Sequence, residues 1–466
     1  MWGLAMAINA DRRRTEGTRA SAAHVARLAR YPDTALFWFR IGNYPHLVAA
    51  YGQELASEAV ATAHDHIARL VQDNGTMETC RADILEVRIK RGTRLGDTMT
   101  PETGAAWAAT VCEAIPLLAF ASKAGPIHVW VSACWSIFTP ESDSGESDSG
   151  ESDSGEDASS PGDVSEWMFP FVGALPEYGE EAERYRADMA IVSHALTALK
   201  SMRDGTAGSG GLRPFWQKVR CADSGVTRYF EALARLSDSK GLPERPGTYI
   251  LSMERLGFVR LLDLFMVRQV IAELERSEDI QIAVNLSALS LSDDPWWDDI
   301  RSTLRRNGHI ARRLLLEITE TASFPKVSDA VRFVDTMRRL GCGIVLDDFG
   351  TGYASVRQLL AFAPDIIKID SLFLRRATAS ERGRAIFVSL AQLAKSISAT
   401  VVAEGVETSQ HRNIALEAGV NWQQGYLWGQ PCGCRPRPYV ADGLPQPPET
   451  SRGWQCAPEP SLRFVQ

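Results

Sequence analysis

Seven polar residues in this sequence follow or end short apolar segments, and their side chains could do chemistry together. They are Glu231, Asn285, Glu317, Asp347, Asp348, Lys368 and Glu404. Five of them are carboxylates, and like charges at close range raise one another's pKa, so the group would need cations to stay ionised. Because the set offers oxygen ligands and contains no His or Cys, it favours Mg²⁺ or Mn²⁺ over Zn²⁺.

The adjacent pair Asp347-Asp348 indicates two ions, because one carboxylate can bridge both while the next holds only the second. Two divalent ions about 3.5–4 Å apart are suited to in-line attack of water on a phosphodiester. Lys368 would then lie near the developing negative charge or orient the attacking water. A single acidic residue after a strand is more often a helix N-cap. Polar residues at the ends of so many successive segments favour a metal site over a series of separate N-caps.

The apolar segments before these residues predict short β-strands at 280–284, 314–316, 343–346, 366–367 and Thr400–Ala403. Amphipathic helical patterns separate them, as at 329–340. This alternation predicts parallel, buried strands, whose C-terminal ends would gather the seven residues on one face. About 250 residues of such units match an eight-stranded barrel. An open, doubly wound sheet is the alternative, but the glycine-rich nucleotide turn typical of that fold is missing.

Composition sets the broad class. The chain has 466 residues, of which 45% are hydrophobic and 23% charged, as in globular proteins of two or three domains. Its net charge is −8, but eight carboxylates lie at 141–157, a segment that begins with three tandem Glu-Ser-Asp-Ser-Gly repeats at 141–155. The rest is electrically balanced, which argues against a nucleic-acid polymer as partner. No apolar run reaches the ~18–20 residues of a membrane span. Scattered single cysteines predict a cytoplasmic protein.

The same residues lie in motifs that resemble those of the EAL family, the cyclic-di-GMP-specific phosphodiesterases. In chain order, the motifs are Glu231-Ala232-Leu233-Ala234-Arg235, Asn285-Leu286-Ser287, Glu317-Ile318-Thr319-Glu320, Asp347-Asp348-Phe349-Gly350-Thr351-Gly352, Lys368-Ile369-Asp370, Ala403-Glu404-Gly405-Val406-Glu407-Thr408 and Gln424-Gly425-Tyr426. Gln217 also falls where the family has a glutamine. Lys218 replaces the usual proline, and Asn421 stands where an aspartate is usual.

The resemblance implies an α/β fold with a (β/α)8-type barrel that hydrolyses cyclic-di-GMP to linear pGpG, using two ions of Mg²⁺ or Mn²⁺. The ligands it implies are Glu231, Asn285, Glu317 and Asp347 for the first ion, and Asp347, Asp348 and Glu404 for the second. The catalytic residues it implies are Lys368, Glu407, Glu320 and Gln424, and the substrate-binding residues are Arg235, Gln217 and Asp370. Glu320 and the turn at 349–353 match the loop that couples the site to dimerisation, so the resemblance also implies a homodimer through this domain.

Residues 34–57 resemble the opening of a GGDEF (diguanylate cyclase) domain, with a strand followed by a helix. In that register Arg40 replaces a metal-binding aspartate and Gly42 a second acidic residue. The segment 80–87 takes the place of the signature hairpin without its paired glycines, and 129–135 would be a later strand. The resemblance therefore implies a domain that does not make cyclic-di-GMP. The options are a GTP-sensing regulator, a dimerisation module or a spacer, and we favour a regulatory role.

These patterns predict an N-terminal extension at 1–30, a degenerate GGDEF-like domain at 31–175, an EAL domain at 184–440 and a proline-rich tail at 441–466. The acidic repeat would be an insertion at about 139–163 in the GGDEF-like domain. The predicted function is a cyclic-di-GMP phosphodiesterase with a smaller regulatory domain in front. The alternative is a non-catalytic cyclic-di-GMP receptor that signals through a protein partner. Receptor-type members typically lose metal ligands or the lysine, and this sequence keeps them.

Overall fold

The computed structural model describes residues 34–137, 180–206, 211–237, 246–319, 327–351 and 361–436. The chain divides into two compact units. Unit 1 comprises Met1–Ala207, Gly247–Phe258 and Asp294–Asp299, and unit 2 comprises Gly208–Pro246, Val259–Asp293 and Ile300–Gln466. The predicted N-terminal extension, acidic insertion and proline-rich tail lie outside the described residues. Among the described residues, no helix has the length and apolar character needed to cross a bilayer.

Unit 1 contains a four-stranded antiparallel sheet in the order β2-β3-β1-β6 and a separate two-stranded sheet, β4-β5. The strands are β1 (Thr34–Ile41), β2 (Gly75–Arg81), β3 (Ile84–Lys90), β4 (Phe120–Ser122), β5 (Gly125–Ile127) and β6 (Val131–Ile137). The segments predicted as a first strand, a hairpin and a later strand are therefore β1, β2–β3 and β6. Phe37 and Phe39 of β1 pack edge-on against Trp107, with ring centroids 4.6 and 5.7 Å away.

The helices of unit 1 are α1 (Tyr44–Tyr51), α2 (Gln53–Val71), α3 (Pro101–Ala114), α4 (Glu180–Arg203) and α5 (Pro246–Leu256). Helix α5 follows two strands of unit 2 in sequence but packs on α4. Asp188 of α4 is buried and accepts hydrogen bonds from Ser252 Oγ (2.8 Å) and Arg255 Nε (2.7 Å) of α5. Burial opposes the charge of Asp188, but Arg255 and Ser252 hold its pKa below the usual value. This ion pair fastens α5 to α4.

Unit 2 is a closed eight-stranded barrel in the order β10-β11-β12-β13-β14-β7-β8-β9. Its strands are β7 (Leu212–Cys221), β8 (Thr227–Leu236), β9 (Ile282–Leu286), β10 (Leu314–Thr319), β11 (Gly343–Phe349), β12 (Ile366–Ile369), β13 (Thr400–Ala403) and β14 (Trp422–Gln423). Its helices are α6 (Val259–Arg276), α7 (Asp298–Arg306), α8 (Gly308–Ala311), α9 (Val327–Leu340), α10 (Ser371–Ala379), α11 (Glu381–Ile397) and α12 (Ser409–Glu417). The first two residues of α7 belong to unit 1. The predicted barrel is thereby confirmed.

One strand departs from the expected parallel arrangement. Strand β7 is antiparallel to both of its neighbours, β8 and β14, whereas the other neighbouring pairs are parallel. A tight turn joins β7 to β8, in which Gly225 has φ 69° and Cys221 N–H donates to Val226 O at 2.9 Å. A short turn can only connect antiparallel strands, since a parallel connection needs a crossover of a dozen or more residues.

The barrel interior is filled by an apolar layer, which we call the inner layer. It takes one buried residue from each of β7 to β13, namely Val219, Tyr229, Ala283, Leu315, Val345, Ile366 and Val402. The half-buried Trp422 of β14 packs against it. Outside the barrel, α10, α11 and α12 pack on the strands through a second apolar cluster. The inner layer fills the barrel next to the C-terminal strand ends, so the side chains at those ends pack on buried apolar residues.

Candidate active site

A layer of polar side chains lies two residues along each strand from the inner layer. This polar layer consists of Gln217, Glu231, Asn285, Glu317, Asp347, Lys368, Glu404 and Gln424. Residues two apart on a strand point to the same face, so the polar layer also faces the barrel interior. Strands β9 to β12 extend through their polar residues, where the predicted strands ended just before them. The backbone of these residues continues the barrel while their side chains build the site.

Lys368 lies at the centre of the polar layer and is fully buried. Its Nζ contacts four carboxylates: Glu231 Oε2 at 3.3 Å, Asp347 Oδ1 at 3.2 Å, Glu404 Oε1 at 2.7 Å, and Glu317 Oε1. Burial disfavours its charge, but the surrounding carboxylates hold the pKa of Lys368 well above the usual range. The site therefore contains a permanent buried ammonium group.

Glu231 is held in one orientation by side-chain amides. Asn285 Nδ2 donates to Glu231 Oε1 at 2.6 Å, and Gln424 Nε2 donates to Glu231 Oε2. Gln424 also donates to Gln217 Oε1 at 3.1 Å, and Gln217 donates to Gly429 O at 3.3 Å. Burial opposes ionisation, but Lys368 and the two amide donors keep the pKa of Glu231 below its usual value. Glu231 is accordingly a fixed, ionised oxygen donor.

Glu317 and Glu404 have the opposite electrostatic character. Burial, followed by repulsion from Glu231, raises the pKa of Glu317 well above its usual value. Burial and repulsion from Asp347 do the same to the pKa of Glu404. In the described part of the chain, the second oxygen of Glu317, Oε2, is buried without a hydrogen-bond partner. Both carboxyl groups lie in surroundings that additional positive charge would stabilise in their ionised form.

The carboxylates form two groups with the spacing of a metal site. Oxygen atoms of Glu231, Glu317 and Asp347 lie within 4.8 Å of one another, and so do those of Asp347, Asp348 and Glu404. Asp347 belongs to both groups. The unpartnered Oε2 of Glu317 and the all-oxygen donor set fit a hard divalent cation. These acidic residues can bind a metal.

A β-bulge allows Asp347 and Asp348 to serve the same site. Neighbouring residues on a regular strand point to opposite faces. Here the register between β11 and β12 shifts between Leu346 and Phe349, and Asp348 adopts φ 56°. Burial, Asp347 and Asp370 raise the pKa of Asp348 to about 7. The adjacent aspartates predicted a shared site, but the bulge was not predicted, because only the pair itself and the nearby Gly350 indicate it in the sequence.

The remaining predicted site residues lie around or beyond the polar layer. Arg235 is half-buried on β8 and donates from Nη1 to Ala234 O at 2.9 Å. Asp370 is the N-cap of α10 and accepts from Leu372 N–H at 2.8 Å. The Glu407 side chain is exposed and is not among the grouped carboxylates, while its backbone N–H donates to His411 Nδ1 at 3.2 Å. Glu320 lies outside the described residues.

Comparison with known proteins agrees with this geometry. Residues 201–431 match the EAL domain family model. The chain is 30% identical over 224 residues to the cyclic di-GMP phosphodiesterase PdeL of Escherichia coli (strain K12), covering 47% of this chain and 62% of that protein. It is 30% identical over 221 residues to the cyclic di-GMP phosphodiesterase NbdA of Pseudomonas aeruginosa, covering 46% of this chain and 28% of that protein.

Among solved structures, the PaMucR phosphodiesterase–c-di-GMP complex is similar, with 27% identity and a TM-score of 0.46. That similarity covers 52% of this chain and 97% of the PaMucR chain. The chain spans less than two thirds of the length of PdeL and of NbdA. The family match covers all thirteen predicted site residues, including the whole polar layer. Residues 201–431, which contain every strand of the barrel, therefore match the EAL domain family.

Proposed function

We propose that the barrel hydrolyses cyclic-di-GMP to linear pGpG with two divalent ions, Mg²⁺ or Mn²⁺. One observation carries the proposal: five carboxylates and a buried lysine converge at the C-terminal ends of the barrel strands. The family match and the names of the two relatives, both cyclic di-GMP phosphodiesterases, support the same reaction.

In this proposal each carboxylate group holds one ion. Glu231, Asn285, Glu317 and Asp347 would hold the first, and Asp347, Asp348 and Glu404 the second. Bound divalent ions supply positive charge to the phosphodiester and help water to lose a proton. Gln424 and Asn285 keep the Glu231 carboxylate in place through their amide hydrogen bonds. Asp347 is the shared ligand because it belongs to both groups.

Lys368 places a positive charge beside the carboxylates, where it can stabilise negative charge that develops on the phosphate or orient the attacking water. Arg235, Gln217 and Asp370 are the proposed substrate-binding residues. The planar guanidinium of Arg235 suits a phosphate because it can donate two parallel hydrogen bonds. Glu320 and Glu407 complete the proposed catalytic set by their position in the family motifs.

We propose a regulatory role, without cyclase activity, for unit 1. Arg40 occupies the position of a metal-binding aspartate in the GGDEF resemblance, and its side chain pairs with the buried Asp83 at 3.3 Å. Asp83 lies in the β2–β3 turn, where the resemblance would require paired glycines, and it also pairs with Arg81 at 3.2 Å. The cationic Arg40 and an ion-paired turn thus stand where the GGDEF resemblance would require acidic metal ligands and paired glycines. GTP is the candidate ligand that the resemblance suggests for this unit.

A homodimer through the barrel is supported by an apolar stripe on α11. Ile386 and Leu393 are exposed large apolar residues, at 39% and 40%, whereas Leu390 and Ile397 pack partly on the apolar cluster beneath the helix. Ile386 and Leu393 are seven residues apart, so they lie on the same face of α11. A second copy of this chain is the occupant we propose. The scattered single cysteines of the sequence fit the cytoplasmic location we propose.

The test is hydrolysis of cyclic-di-GMP by the purified full chain with Mg²⁺ or Mn²⁺, with and without GTP. Glu231→Ala removes a proposed ligand, and Glu417→Ala removes an exposed carboxylate on α12 as the matched control. We expect metal-dependent pGpG production by the wild type and the control but not by Glu231→Ala. Tight binding without cleavage in every condition would contradict the phosphodiesterase and support the non-catalytic receptor. A change of rate with GTP would support the regulatory role of unit 1.

A further inference from the structure

Tyr229 is the polar member of an otherwise apolar inner layer. It is 1% exposed, and its hydroxyl has no hydrogen-bond partner among the described residues. The other six residues of the layer have purely aliphatic side chains. Buried tyrosine hydroxyls usually find a partner, because an unsatisfied buried donor costs about 1–3 kcal/mol. A hydroxyl buried at this position is therefore expected to have a hydrogen-bond acceptor.

The strand geometry places Tyr229 next to the polar layer. Tyr229 lies two residues before Glu231 on β8, so both side chains face the barrel interior. Burial raises the pKa of Tyr229 well above its usual value, and Glu317 has the largest effect among the charged groups that act on it. Glu231 and Asp347 act in the same direction, and Lys368 opposes them. Tyr229 thus belongs to the layer of side chains next to the carboxylates.

Glu317 offers the matching acceptor. It is fully buried, and Lys368 engages its Oε1. Its other oxygen, Oε2, is buried without a partner among the described residues. A donor without an acceptor in the inner layer and an acceptor without a donor in the polar layer thus belong to side chains that face the same barrel interior. The terminal torsion of a glutamate is soft, so the carboxylate can turn toward the hydroxyl.

We propose that Tyr229 is a positioning residue whose hydroxyl donates a hydrogen bond to Glu317 Oε2 and so orients this carboxylate for a divalent ion. The inference rests on the proposed function, in which Glu317 is a ligand of the first ion. Partners behind a metal ligand fix its orientation and contribute about 10- to 100-fold to metal affinity. The hydroxyl itself contacts neither the substrate nor the ion.

The first experiment uses the full chain and Tyr229→Phe, which keeps the ring in the inner layer and removes the hydroxyl. Calorimetric titration with Mn²⁺ should show about 10-fold weaker binding by the variant. The kcat for cyclic-di-GMP should fall while KM is unchanged, because the hydroxyl does not touch the substrate. Tyr249→Phe is the matched control, since Tyr249 is a fully buried tyrosine in unit 1. It should retain wild-type Mn²⁺ affinity.

A second experiment uses the metal-free protein. If the hydrogen bond forms, Tyr229→Phe lowers the urea midpoint of the wild-type chain. In a Glu317→Leu background the acceptor is gone, so the same change leaves the midpoint unchanged or raises it. An inert hydroxyl would give the same small effect in both backgrounds.

The outcomes separate the two proposals. Absence of metal binding by the wild type overturns the proposed function, and the role of Tyr229 falls with it. Normal wild-type binding with unchanged affinity in Tyr229→Phe overturns the role of Tyr229 alone. A lower urea midpoint together with wild-type Mn²⁺ affinity and kcat would leave Tyr229 a packing residue only, and would also overturn the inference.

Discussion

Lys368 shows how one buried cation can be paired with several carboxylates of a candidate metal site. A buried charge is tolerated only when it is paired and hydrogen-bonded. Lys368 meets this condition through four carboxylates, but those carboxylates repel one another. Glu231 gains enough from Lys368 and its amide donors to stay ionised, whereas Glu317 and Glu404 are pushed toward protonation. Four carboxylates surround one ammonium group, so the site is short of positive charge.

This shortage predicts a pH-dependent metal affinity. The pKa of Asp348 is raised from 3.8 to about 7, so below pH 7 an incoming ion must displace its proton. With one proton to displace, we expect Mn²⁺ affinity to rise about fivefold between pH 6 and pH 7. Titration calorimetry across this range measures the change, and Asp348→Asn should show a weaker pH dependence. Affinity independent of pH would contradict this account.

The raised pKa of Asp348 has the opposite effect on the stability of the metal-free chain, which should fall as the pH rises. Between about pH 4 and 7 the folded chain keeps a proton on Asp348 that the unfolded chain has lost. Stability falls with rising pH wherever the folded state binds more protons. The urea midpoint of the metal-free chain should therefore fall across this window through Asp348, and Mn²⁺ should restore more stability at pH 7 than at pH 6.

At the scale of the element, the end of β11 determines the site. The bulge at Asp347-Asp348 is followed by Gly350, which has φ 99°. A Cβ on Gly350 would lie 2.8 Å from the Phe373 ring of α10. The turn therefore requires glycine both for its backbone conformation and for the close approach of α10.

Gly350→Ala should lower the free energy of unfolding by about 1–3 kcal/mol and weaken Mn²⁺ binding, because the displaced turn moves the aspartates. Urea denaturation and metal titration measure the two effects. Gly247→Ala is the control, since a Cβ there meets no atom within 4 Å and its φ is not positive. A Gly350→Ala chain that unfolds and binds metal like the control would show that the turn tolerates a side chain.

The sequence predicted much of the barrel because its strands carry a simple local pattern. Each of five predicted strands overlaps an observed one, and Asn285, Glu317 and Lys368 follow or end their apolar segments as expected. Strand β7 was missed because its polar residues, such as Lys218 and Arg220, interrupt the apolar run. The bulge at Asp348 was missed because a register shift depends on the neighbouring strand. The role proposed for Tyr229 was not predicted, because a tyrosine on a strand usually serves only to fill the core.

At the scale of the whole chain, unit 1 is built from three separate stretches of sequence. Helix α5 lies within the EAL domain match at 201–431, yet it folds with unit 1 through Asp188, Ser252 and Arg255. The boundaries of the family match and of the compact units therefore differ. The predicted domain limits at 31–175 and 184–440 remain predictions.

Asp188→Ala should loosen α5 and leave the barrel helix α6 protected. Loss of the partly buried ion pair should speed amide hydrogen exchange in α5 about tenfold. Hydrogen-exchange mass spectrometry of the full chain compares the peptides of α5 and α6. Asp204→Ala, which removes an exposed aspartate paired with Lys200, is the control. Equal exchange of α5 in both variants would mean that the ion pair does not hold the helix.

The attachment of α5 to α4 also sets an order of events on the ribosome. Asp188 leaves the ribosome 67 residues before its partner Arg255. At about 5–20 residues per second, the carboxylate waits several seconds for its counter-charge. During that time the first two barrel strands are synthesised. Unit 1 is thus completed only after synthesis of the barrel has begun, and a nascent chain halted before residue 246 would present α4 with its acidic side uncovered.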